Sequence, residues 1–362
     1  MILGLFTQLT GAGGIQRLSR HTTAVLVKLA EREGMPYQIL SLADSPGYHW
    51  LSVAGLRVGF RGFGRNYPGF LAATLTTPAS LVVVGHLQLV PAALGIGYVR
   101  EKPKLVLVAH GIEVWDRSSI LARTMLRRVD RVICVSRFTA GKVTRLHGIP
   151  SNRVAVVHPC QDPELDGHPP SQVVRKHGGR DILTVARLSR ADRYKGVQHV
   201  IKALPSIRLT VPAVQYTIVG KGKDEGYLLR LACTLGLEGA VEVVSQVADS
   251  ALAELYEQCD VFVMPSLKEG LGIVFLEAMA HGKPVVAANH GGTPEAVVEG
   301  RTGFLIDYGD LQALSQYIVR LLQDERLRSE MGESARRCVS EHFTFERFSE
   351  RATGAIAGLL RA

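Results

Sequence analysis

The sequence predicts an α/β protein made of two doubly wound domains with parallel sheets. Its 362 residues are enough for two domains of ordinary size, each with its own core. Short runs of Val, Ile and Leu alternate with helical patterns along the whole chain, which is typical of βαβ units. These runs lack polar alternation, as expected for strands that are buried on both faces of a sheet.

The predicted strands form two sets, one in each half of the chain. In the first half the apolar runs are residues 2–6, 37–42, 81–84, 105–109, 131–135 and 154–157. In the second half they are residues 182–186, 216–219, 241–244, 261–264, 284–287 and 303–306. The segment between the sets, residues 158–171, is rich in proline and polar residues and predicts an interdomain linker.

The end of the chain is predicted to be helical from Asp310 onward. Two helical patterns cover residues 311–322 and 326–342, and a last amphipathic stretch follows. Three aromatic residues open that stretch, Phe343, Phe345 and Phe348. We expect them to be packing anchors and not a functional group of aromatics.

The composition is that of a globular protein, with 46% hydrophobic and 21% charged residues, and it excludes a disordered chain. No apolar run reaches the roughly 20 residues that span a bilayer, because the longest, residues 87–99, is interrupted by Gln88 and Pro91. The N-terminus lacks a basic region and a cleavage-like site, so we expect a buried strand there and no signal peptide. Five scattered cysteines without a CxxC pair predict reduced thiols in a soluble cytoplasmic protein and no metal site.

Charge is distributed unevenly between the two halves. Residues 1–160 hold 4 lysines and 15 arginines against 7 acidic residues, a net charge of +12, whereas residues 161–362 have a net charge of −3. Nucleic acid, an anionic bilayer surface, a phosphate-bearing acceptor or a merely soluble basic surface would all fit the basic half. The cations that favour a membrane surface are Arg57, Arg61, Arg65, Arg100, Lys102, Lys104, Arg123, Arg127 and Arg128.

A glycine-rich turn, residues 10–17, follows the first predicted strand and opens a helix. Backbone N–H groups and the helix dipole at such a turn suit a phosphate. The turn does not match the dinucleotide fingerprint G-x-G-x-x-G, because residue 16 is Gln. Taken alone, a turn of this kind is more often only a tight connection.

A pair of carboxylates marks the segment from Glu269 to Glu277, just after a predicted strand. Gly270 and Gly272 allow the backbone to approach a ligand closely at the start of a helix. A carboxylate accepts two hydroxyl hydrogen bonds at once, which suits a ribose diol or a sugar ring. The alternative is an acidic first turn with a surface Glu277. That residue lies in an apolar helix, however, where a carboxylate needs a partner.

Two further strand ends carry polar side chains. Arg187 follows the strand at 182–186, and Lys195 lies at the next helix start. Two cations that converge with helix N-termini are what a diphosphate leaving group requires, although Arg187 alone would more often be a solvated residue. His110 ends the strand at 105–109, and singly it would be interpreted as a structural histidine bonded to backbone.

Together these residues resemble the retaining GT-B glycosyltransferases of family four, which include phosphatidylinositol mannosyltransferases and polysaccharide-assembly enzymes. The matching motifs are the E-x7-E pair of Glu269 and Glu277, the R-L and K-G elements at Arg187 and Lys195, the G-G-I-Q loop with Gly13 and Gly14, the H-G-x-E turn from His110 to Glu113, Pro265-Ser, and the segments 291–297 and 300–305. The resemblance covers most of the C-terminal half and is thinner between residues 45 and 100. One departure is Ala186 where the family has the glycine of G-R-L.

The resemblance implies the GT-B architecture, two facing Rossmann-like domains with a donor cleft between them. Residues 1–165 would form the acceptor-side domain and residues 166–342 the nucleotide-sugar donor domain. The last segment, residues 343–362, would be a C-terminal helix that packs back on the N-terminal domain.

The resemblance also implies a role for each matching residue. Arg187 and Lys195 would hold the donor diphosphate with help from the Gly14 N–H, while Glu277 would bind the ribose hydroxyls. Glu269 would bind hydroxyls of the donor sugar, and His110 would contact that sugar from the other domain. The further donor-binding positions are Gly13, Gly270, Leu271, Gly272 and the backbone of Gln246 and Val247, and those on the acceptor side are Gln16 and Glu113.

The activity implied is retaining transfer of a mannose-type or glucose-type hexose from a nucleotide diphosphate sugar to a lipid-linked or glycan acceptor. GDP and UDP donors both remain open. No D-x-D motif occurs in the chain, so Arg187 and Lys195 would replace a metal, and no cofactor is expected besides the donor substrate. An anionic membrane surface is a candidate partner, and nucleic acid is not expected.

Two other classes of protein would share some of these features. A GT-B relative such as a nucleotide-sugar epimerase or a phosphorylase would share the cleft, but nothing marks the lysine that a phosphorylase needs for its pyridoxal cofactor. A nucleic-acid-binding or membrane-binding protein without chemistry would explain the basic half but not the paired carboxylates.

Overall fold

A computed structural model describes residues 1–11, 13–116, 120–162, 180–245 and 247–360 of the chain, with the backbone alone at 120–122. The chain divides into two units, one formed by Met1–Glu164 with Thr344–Ala362 and the other by Leu165–Phe343. The predicted linker lies mostly on residues 163–179, outside the described residues. In the described part of the chain, no helix has both the length and the apolar character needed to cross a bilayer.

The first unit is built on a sheet whose strand order, among the described residues, is β3-β4-β2-β1-β5-β6-β7-β8. The strands are β1 Ile2–Phe6, β2 Tyr37–Ser41, β3 Gly47–Val53, β4 Leu56–Gly62, β5 Leu81–Val84, β6 Lys104–Ala109, β7 Arg131–Cys134 and β8 Val154–Val156. The helices are α1 Gly14–Arg32, α2 Tyr67–Thr76, α3 Val90–Val99, α4 Ile120–Arg127 and α5 Arg137–His147.

Local sequence explains where the elements of this unit begin and end. All five residues of β1 are buried, as expected for an apolar strand at the centre of a sheet. Helix α5 begins after Ser136, whose hydroxyl accepts a hydrogen bond from the N–H of Thr139, and ends at Gly148 in the left-handed conformation. The chain reverses its winding between β1 and β5, so the loops that follow these two strands lie at a topological switch point.

The second unit contains a parallel sheet with the order β11-β10-β9-β12-β13-β14 among the described residues. Its strands are β9 Asp181–Val185, β10 Gln215–Val219, β11 Val241–Val244, β12 Val261–Met264, β13 Val285–Ala288 and β14 Gly303–Ile306. Its helices are α6 Val197–Thr210, α7 Glu225–Thr234, α8 Asp249–Gln258, α9 Ile273–Ala280, α10 Thr293–Ala296, α11 Leu311–Gln323 and α12 Glu325–His342. The switch point of this sheet lies between β9 and β12.

The core of the second unit lies on both faces of the sheet. In β12, Val261 and Val263 pack into one apolar cluster, whereas Phe262 and Met264 pack into the cluster on the opposite face. Both sets are buried because helices cover each side of the sheet, which is why the strand reads as a continuous apolar run.

The last helix, α13 Phe345–Ala357, packs against α1 of the first unit. Phe345 and Phe348 are buried there, and both rings make edge contacts with the ring of His21. Phe343 is buried in the core of the second unit. The expectation that these three aromatic residues are packing anchors is therefore confirmed.

The predicted fold class is confirmed, since each unit holds a Rossmann-like parallel sheet covered by helices. The bounds of the twelve predicted strands agree with the structure to within one residue at each end. The strands β3 and β4, which form an antiparallel hairpin at the edge of the first sheet, were not predicted.

Candidate active site

The predicted donor-binding residues of the second unit gather around its switch point. Arg187 follows β9, and the loop with Glu269 follows β12, which is the next strand in the sheet. Ligands of open α/β sheets bind outside the carboxyl ends of the strands at such a point. The fold therefore brings Arg187, Lys195 and Glu269 to one edge of one sheet.

Each of the two predicted cations is paired with a carboxylate. Arg187 Nη2 lies 2.9 Å from Asp192 Oδ1, and the Arg187 side chain is 71% exposed. Lys195 Nζ donates to Glu269 Oε2 at 2.5 Å, and both of these side chains are largely buried. Sequence reasoning missed Asp192, although its position between two candidate cations could have marked it.

Tyr194 lies among these charged groups. Its hydroxyl donates to Asp192 Oδ1 at 3.3 Å, and Lys195 lies over its ring. Burial raises the pKa of Tyr194, and the charges of Asp192 and Glu269 add to that rise while those of Lys195 and Arg187 oppose it. All four charged side chains thus affect the pKa of one hydroxyl, which shows that they form a single cluster.

The start of α9 supplies a helix N-terminus beside this cluster. Gly272 precedes the helix with φ 97°, and a Cβ atom at that position would lie 2.2 Å from the Phe275 ring, so only glycine fits. The adjacent loop is fixed by a hydrogen bond of 2.8 Å from the Gly292 N–H to the Glu269 carbonyl. Leu271 is buried, whereas Gly270 is only half-buried. The first N–H groups of α9 can therefore serve as anion donors.

Glu277 lies inside α9 and is 1% exposed. The hydroxyl of Tyr256 donates to its Oε2 atom at 2.8 Å, so the expectation that this carboxylate has a partner is confirmed. Its role in binding ribose hydroxyls stays a prediction. Of the two residues expected at the base edge, Val247 is half-buried just before α8, and Gln246 lies outside the described residues.

In the first unit, the glycine-rich loop before α1 is held by a buried carboxylate that sequence reasoning missed. Asp44 accepts hydrogen bonds from the backbone N–H groups of Leu9 at 2.7 Å and Thr10 at 3.1 Å, and from the Thr10 hydroxyl. Arg20 also donates to the carbonyls of Leu9 at 3.2 Å and Gly11 at 3.1 Å. These contacts fix the approach to the N-terminus of α1.

The predicted residues of this loop lie at the helix start itself. Gly13 precedes α1, and its carbonyl accepts from the Arg17 N–H at 2.9 Å. Gly14 is the first residue of the helix and is exposed, while Gln16 is half-buried. Gln16 is also close to Gly13, because a Cβ atom on Gly13 would lie 2.5 Å from the Gln16 Oε1 atom.

His110 and Glu113 form a local hydrogen-bonded turn after β6. The N–H of His110 donates to Glu113 Oε1 at 2.5 Å, and His110 Nε2 lies 2.6 Å from the Gly85 carbonyl. A carbonyl can only accept, so Nε2 carries the proton. The ring also stacks on His86, whose pKa is lowered chiefly by burial and further by His110, against the opposing charge of Glu113.

The described residues of the chain contain no group of three or more His, Cys, Asp or Glu side chains arranged to hold a metal ion. In the second unit, the groups that could meet an anionic ligand include Arg187, Lys195 and the helix start at Gly272. The resulting arrangement can neutralise a diphosphate and place carboxylates beside hydroxyl groups.

Two family models match the chain. The model described as "Glycosyl transferases group 1" matches residues 171–338, and the model described as "Glycosyltransferase Family 4" matches residues 22–165. The two matches therefore fall on different parts of the chain and leave only its ends and a short central stretch uncovered.

Among curated proteins, the chain is 35% identical over 266 residues to a GDP-mannose-dependent alpha-(1-6)-phosphatidylinositol monomannoside mannosyltransferase from Mycolicibacterium smegmatis, with 70% of this chain and 68% of the relative covered. It is also 29% identical to the N-acetyl-alpha-D-glucosaminyl L-malate synthase of Bacillus anthracis, with 69% of this chain and 66% of the relative covered.

Among solved structures, the chain is similar to Anabaena Alr3699/HepE in complex with UDP-glucose, with a TM-score of 0.80 and 21% identity over 99% of this chain and 100% of the other. A sucrose-phosphate synthase from Thermosynechococcus elongatus gives a TM-score of 0.80 at 19% identity, with 99% of each chain covered. At these identities the similarity shows a shared fold.

Proposed function

Because the chain belongs to the group 1 and family 4 glycosyltransferases, we propose that it transfers a mannosyl group from GDP-mannose to a lipid-linked mannoside or a related glycan. The donor is inferred from four relatives, 30–35% identical, whose names describe GDP-mannose-dependent enzymes acting on phosphatidylinositol monomannoside. None of the similarities described above favours the nucleotide-sugar epimerase considered from the sequence.

The observation that carries this proposal is the cluster of Arg187, Lys195 and Glu269 at the switch point of the second sheet. Cleavage of the bond between the sugar and the diphosphate develops negative charge on the leaving phosphate. Preorganised cations stabilise that charge as it forms, and removing one such group typically costs about 10²–10³-fold in turnover. In the proposed reaction, Arg187 and Lys195 hold the diphosphate, and Glu269 binds sugar hydroxyls near the reacting carbon.

The finer steps of the proposed reaction are inferred from the family resemblance. Transfer proceeds with retention of the anomeric configuration, and the departing phosphate accepts the proton of the attacking hydroxyl, so no side-chain nucleophile is needed. Two fixed cations supply the charge that a divalent metal would otherwise provide. The roles assigned to Glu277, Val247, Gln246, His110, Gly13, Gly14, Gln16 and Glu113 remain predictions from the family resemblance.

The proposal is tested by transfer from labelled GDP-mannose to extracted phosphatidylinositol mannosides, with UDP-glucose and UDP-mannose as competing donors. Of the three donors, we expect only GDP-mannose to give product, and we expect NMR to show the α configuration in the new linkage. EDTA should not reduce the rate. Use of a UDP donor in its place would overturn the donor assignment. A β-linked product would overturn the retaining mechanism, and inhibition by EDTA that added Mg²⁺ reverses would overturn metal independence.

We expect Arg187→Ala and Lys195→Ala each to lower turnover about 10²–10³-fold, because each removes a cation that faces the leaving group. Matched controls exist nearby, since Arg190 and Lys223 are exposed cations of the same unit. Arg190→Ala and Lys223→Ala should keep turnover within about twofold. Full turnover in either of the first two variants would contradict the proposed role of that cation.

A further inference from the structure

An unusual stretch of the first unit lacks acidic residues altogether. Residues 45–100 contain no Asp or Glu but carry four arginines. The same stretch is rich in exposed apolar side chains. Ten large hydrophobic residues are strongly exposed among those the structure describes, and six of them are in this stretch: Tyr48, Trp50, Tyr67, Leu71, Tyr98 and Val99. Positive charge and exposed aromatic surface therefore coincide in one region.

The hairpin of β3 and β4 arranges four of these side chains on one surface, which we call the hairpin face: Tyr48, Trp50, Arg57 and Arg61. Tyr48 pairs with Arg61 across the two strands. Side chains of one strand alternate between the two faces, so Trp50, two residues after Tyr48, and Arg57, four residues before Arg61, lie on the same face as this pair. Arg57 lies over the Trp50 ring at 4.5 Å, and Arg61 lies over the Tyr48 ring at 5.8 Å. Tyr48 and Trp50 are 77% and 61% exposed.

Gly59 leaves room for the Trp50 side chain on this face. A Cβ atom at Gly59 would lie 3.1 Å from the Trp50 ring, so the ring lies directly over the backbone of the neighbouring strand. Arg57 also contacts this ring, so Trp50 has neighbours on the adjacent strand that restrict its position although most of it is exposed. A large apolar ring fixed toward solvent indicates a contact surface.

The hairpin face lies on the same side of the sheet as α2. Arg61 pairs in parallel register with Leu40 of β2, and paired residues of parallel strands point to the same side. Leu40 packs in one core cluster with Phe70 of α2. The exposed residues Tyr67 and Leu71 of α2 therefore lie on the same side of the sheet as the hairpin face.

We propose that the hairpin face is a docking surface for an anionic lipid bilayer. Tyr and Trp side chains favour the interface between membrane and water, and arginines are attracted to anionic head groups. This inference deepens the proposed function, on which it rests for the lipid-linked acceptor: it places the lipid contact on one edge of the first unit and assigns it to named side chains.

Charge and chemistry favour this occupant over the others. A symmetric dimer formed through this face would bring one acid-free basic surface against another, which like charges oppose. Nucleic acid would fit the arginines and the aromatic rings, but it would leave the aliphatic side chain of Leu71 without a partner. A bilayer interface satisfies both kinds of side chain at once.

The test uses the full chain with vesicles of phosphatidylcholine alone and vesicles containing 30% phosphatidylglycerol. We expect binding to the anionic vesicles at low salt and loss of it at high salt. Arg57→Gln with Arg61→Gln should weaken the partition coefficient about 30-fold, from about fivefold for each arginine near the surface. Arg230→Gln with Arg337→Gln, two exposed arginines of the second unit, is the matched control and should not change binding.

Fluorescence locates the contact independently of any loss of binding. The chain has two tryptophans, and the other one, Trp115, is buried and donates to the Thr139 hydroxyl. Vesicles with brominated acyl chains should quench the wild type by an amount that Trp50→Tyr removes. Trp50 is exposed, so this variant should fold, and circular dichroism checks that it does.

Three outcomes would overturn the inference: vesicle binding that the hairpin variants leave unchanged, bromolipid quenching that survives in Trp50→Tyr, or self-association that the hairpin variants abolish while vesicles are not bound. Because the vesicles contain no donor or acceptor, failure here leaves the proposed reaction standing. Conversely, normal vesicle binding without mannosyl transfer would refute the proposed reaction and leave the proposed docking surface standing.

Discussion

Asp44 shows how a single buried residue can fix a functional loop. It is 3% exposed and accepts hydrogen bonds from two backbone N–H groups and from the hydroxyls of Thr10 and Ser41. Each carboxylate oxygen accepts from a backbone N–H group, so an amide NH2 in place of either oxygen would face a donor that cannot accept. A carboxylate therefore suits the position better than the isosteric amide of asparagine.

We expect Asp44→Asn to destabilise the first unit by about 2 kcal/mol, since buried donors would lose their charged acceptor. Tryptophan fluorescence during urea unfolding measures this unit selectively, because Trp50 and Trp115 both belong to it. Asp116→Asn is the control, as Asp116 is exposed in the same unit. Equal midpoints for the two variants would contradict the role given to Asp44.

Asp162 offers a prediction on pH dependence. Burial would raise the pKa of this carboxyl, but the hydrogen bond with His21 and the charges of His21, Arg17 and Arg20 hold it well below its ordinary range. A lowered pKa means that the folded state favours the ionised form. The resulting stability is present above the unfolded value of about 3.9 and is lost as the pH falls toward the folded pKa.

We therefore expect Asp162→Asn to lower the stability of the first unit at pH 7 by about 3 kcal/mol, because it leaves buried cations without their counter-charge. The difference from the wild type should shrink as the pH falls below about 4. Urea unfolding followed by tryptophan fluorescence between pH 2.5 and 7 measures it. A difference that stays constant over this range would show that the ion pairs do not cause it.

Site residues could be predicted from sequence where a strand end and a polar side chain coincide. Arg187 and Glu269 were found in this way, since the structure places each directly after a strand or in the loop that follows it. Asp192 and Asp44 were missed because their importance lies in which groups they contact. Asp44 bonds to Leu9 and Thr10, which precede it by 35 and 34 positions, and a contact over that separation leaves no local pattern in the sequence.

Among the secondary-structure elements, the buried strands were predictable and the edge hairpin was not. Strands such as β5, with four buried residues, read as plain apolar runs. The strand β3 is half exposed and carries Gly47, Tyr48 and His49, so it lacks such a run. Edge strands contact a neighbour on one side only, and the sequence therefore places weaker demands on them.

A substitution in the turn of this hairpin should increase the stability of the first unit. Ala54 and Gly55 join β3 to β4 with φ values of 50° and 74°, which is the two-residue type I′ geometry. Alanine is strained at positive φ, whereas asparagine is tolerated there. We expect Ala54→Asn to stabilise the first unit by about 0.5–1 kcal/mol and Ala54→Val to destabilise it, as read by urea unfolding. Stabilisation by both variants would argue against relief of strain.

At the scale of the whole molecule, the division of charge agrees with the division of tasks. The half with a net charge of −3 holds the cluster proposed for the donor, where Asp192 and Glu269 offset two cations. The half with a net charge of +12 holds the hairpin face proposed to meet anionic lipid. Composition could predict that asymmetry, but only the fold showed which arginines share a surface with exposed aromatic rings.

The five cysteines, spread over both units, test the packing of the whole molecule, and all are free thiols. Burial raises the pKa of Cys134 and Cys259 to about 12, so at pH 8 only about 10⁻⁴ of each is thiolate. Burial also raises the pKa of Cys160 well above its ordinary value. Cys233 is exposed, and although its hydrogen bond to Glu238 raises its pKa, Ellman's reagent should reach it first. We expect half-buried Cys338 to follow slowly and the other three to react only in denaturant. Cys233→Ser should remove the fast phase of the reaction, and Cys338→Ser should retain it. A third thiol that reacts within minutes in the native protein would show that the packing around one of the three buried cysteines opens.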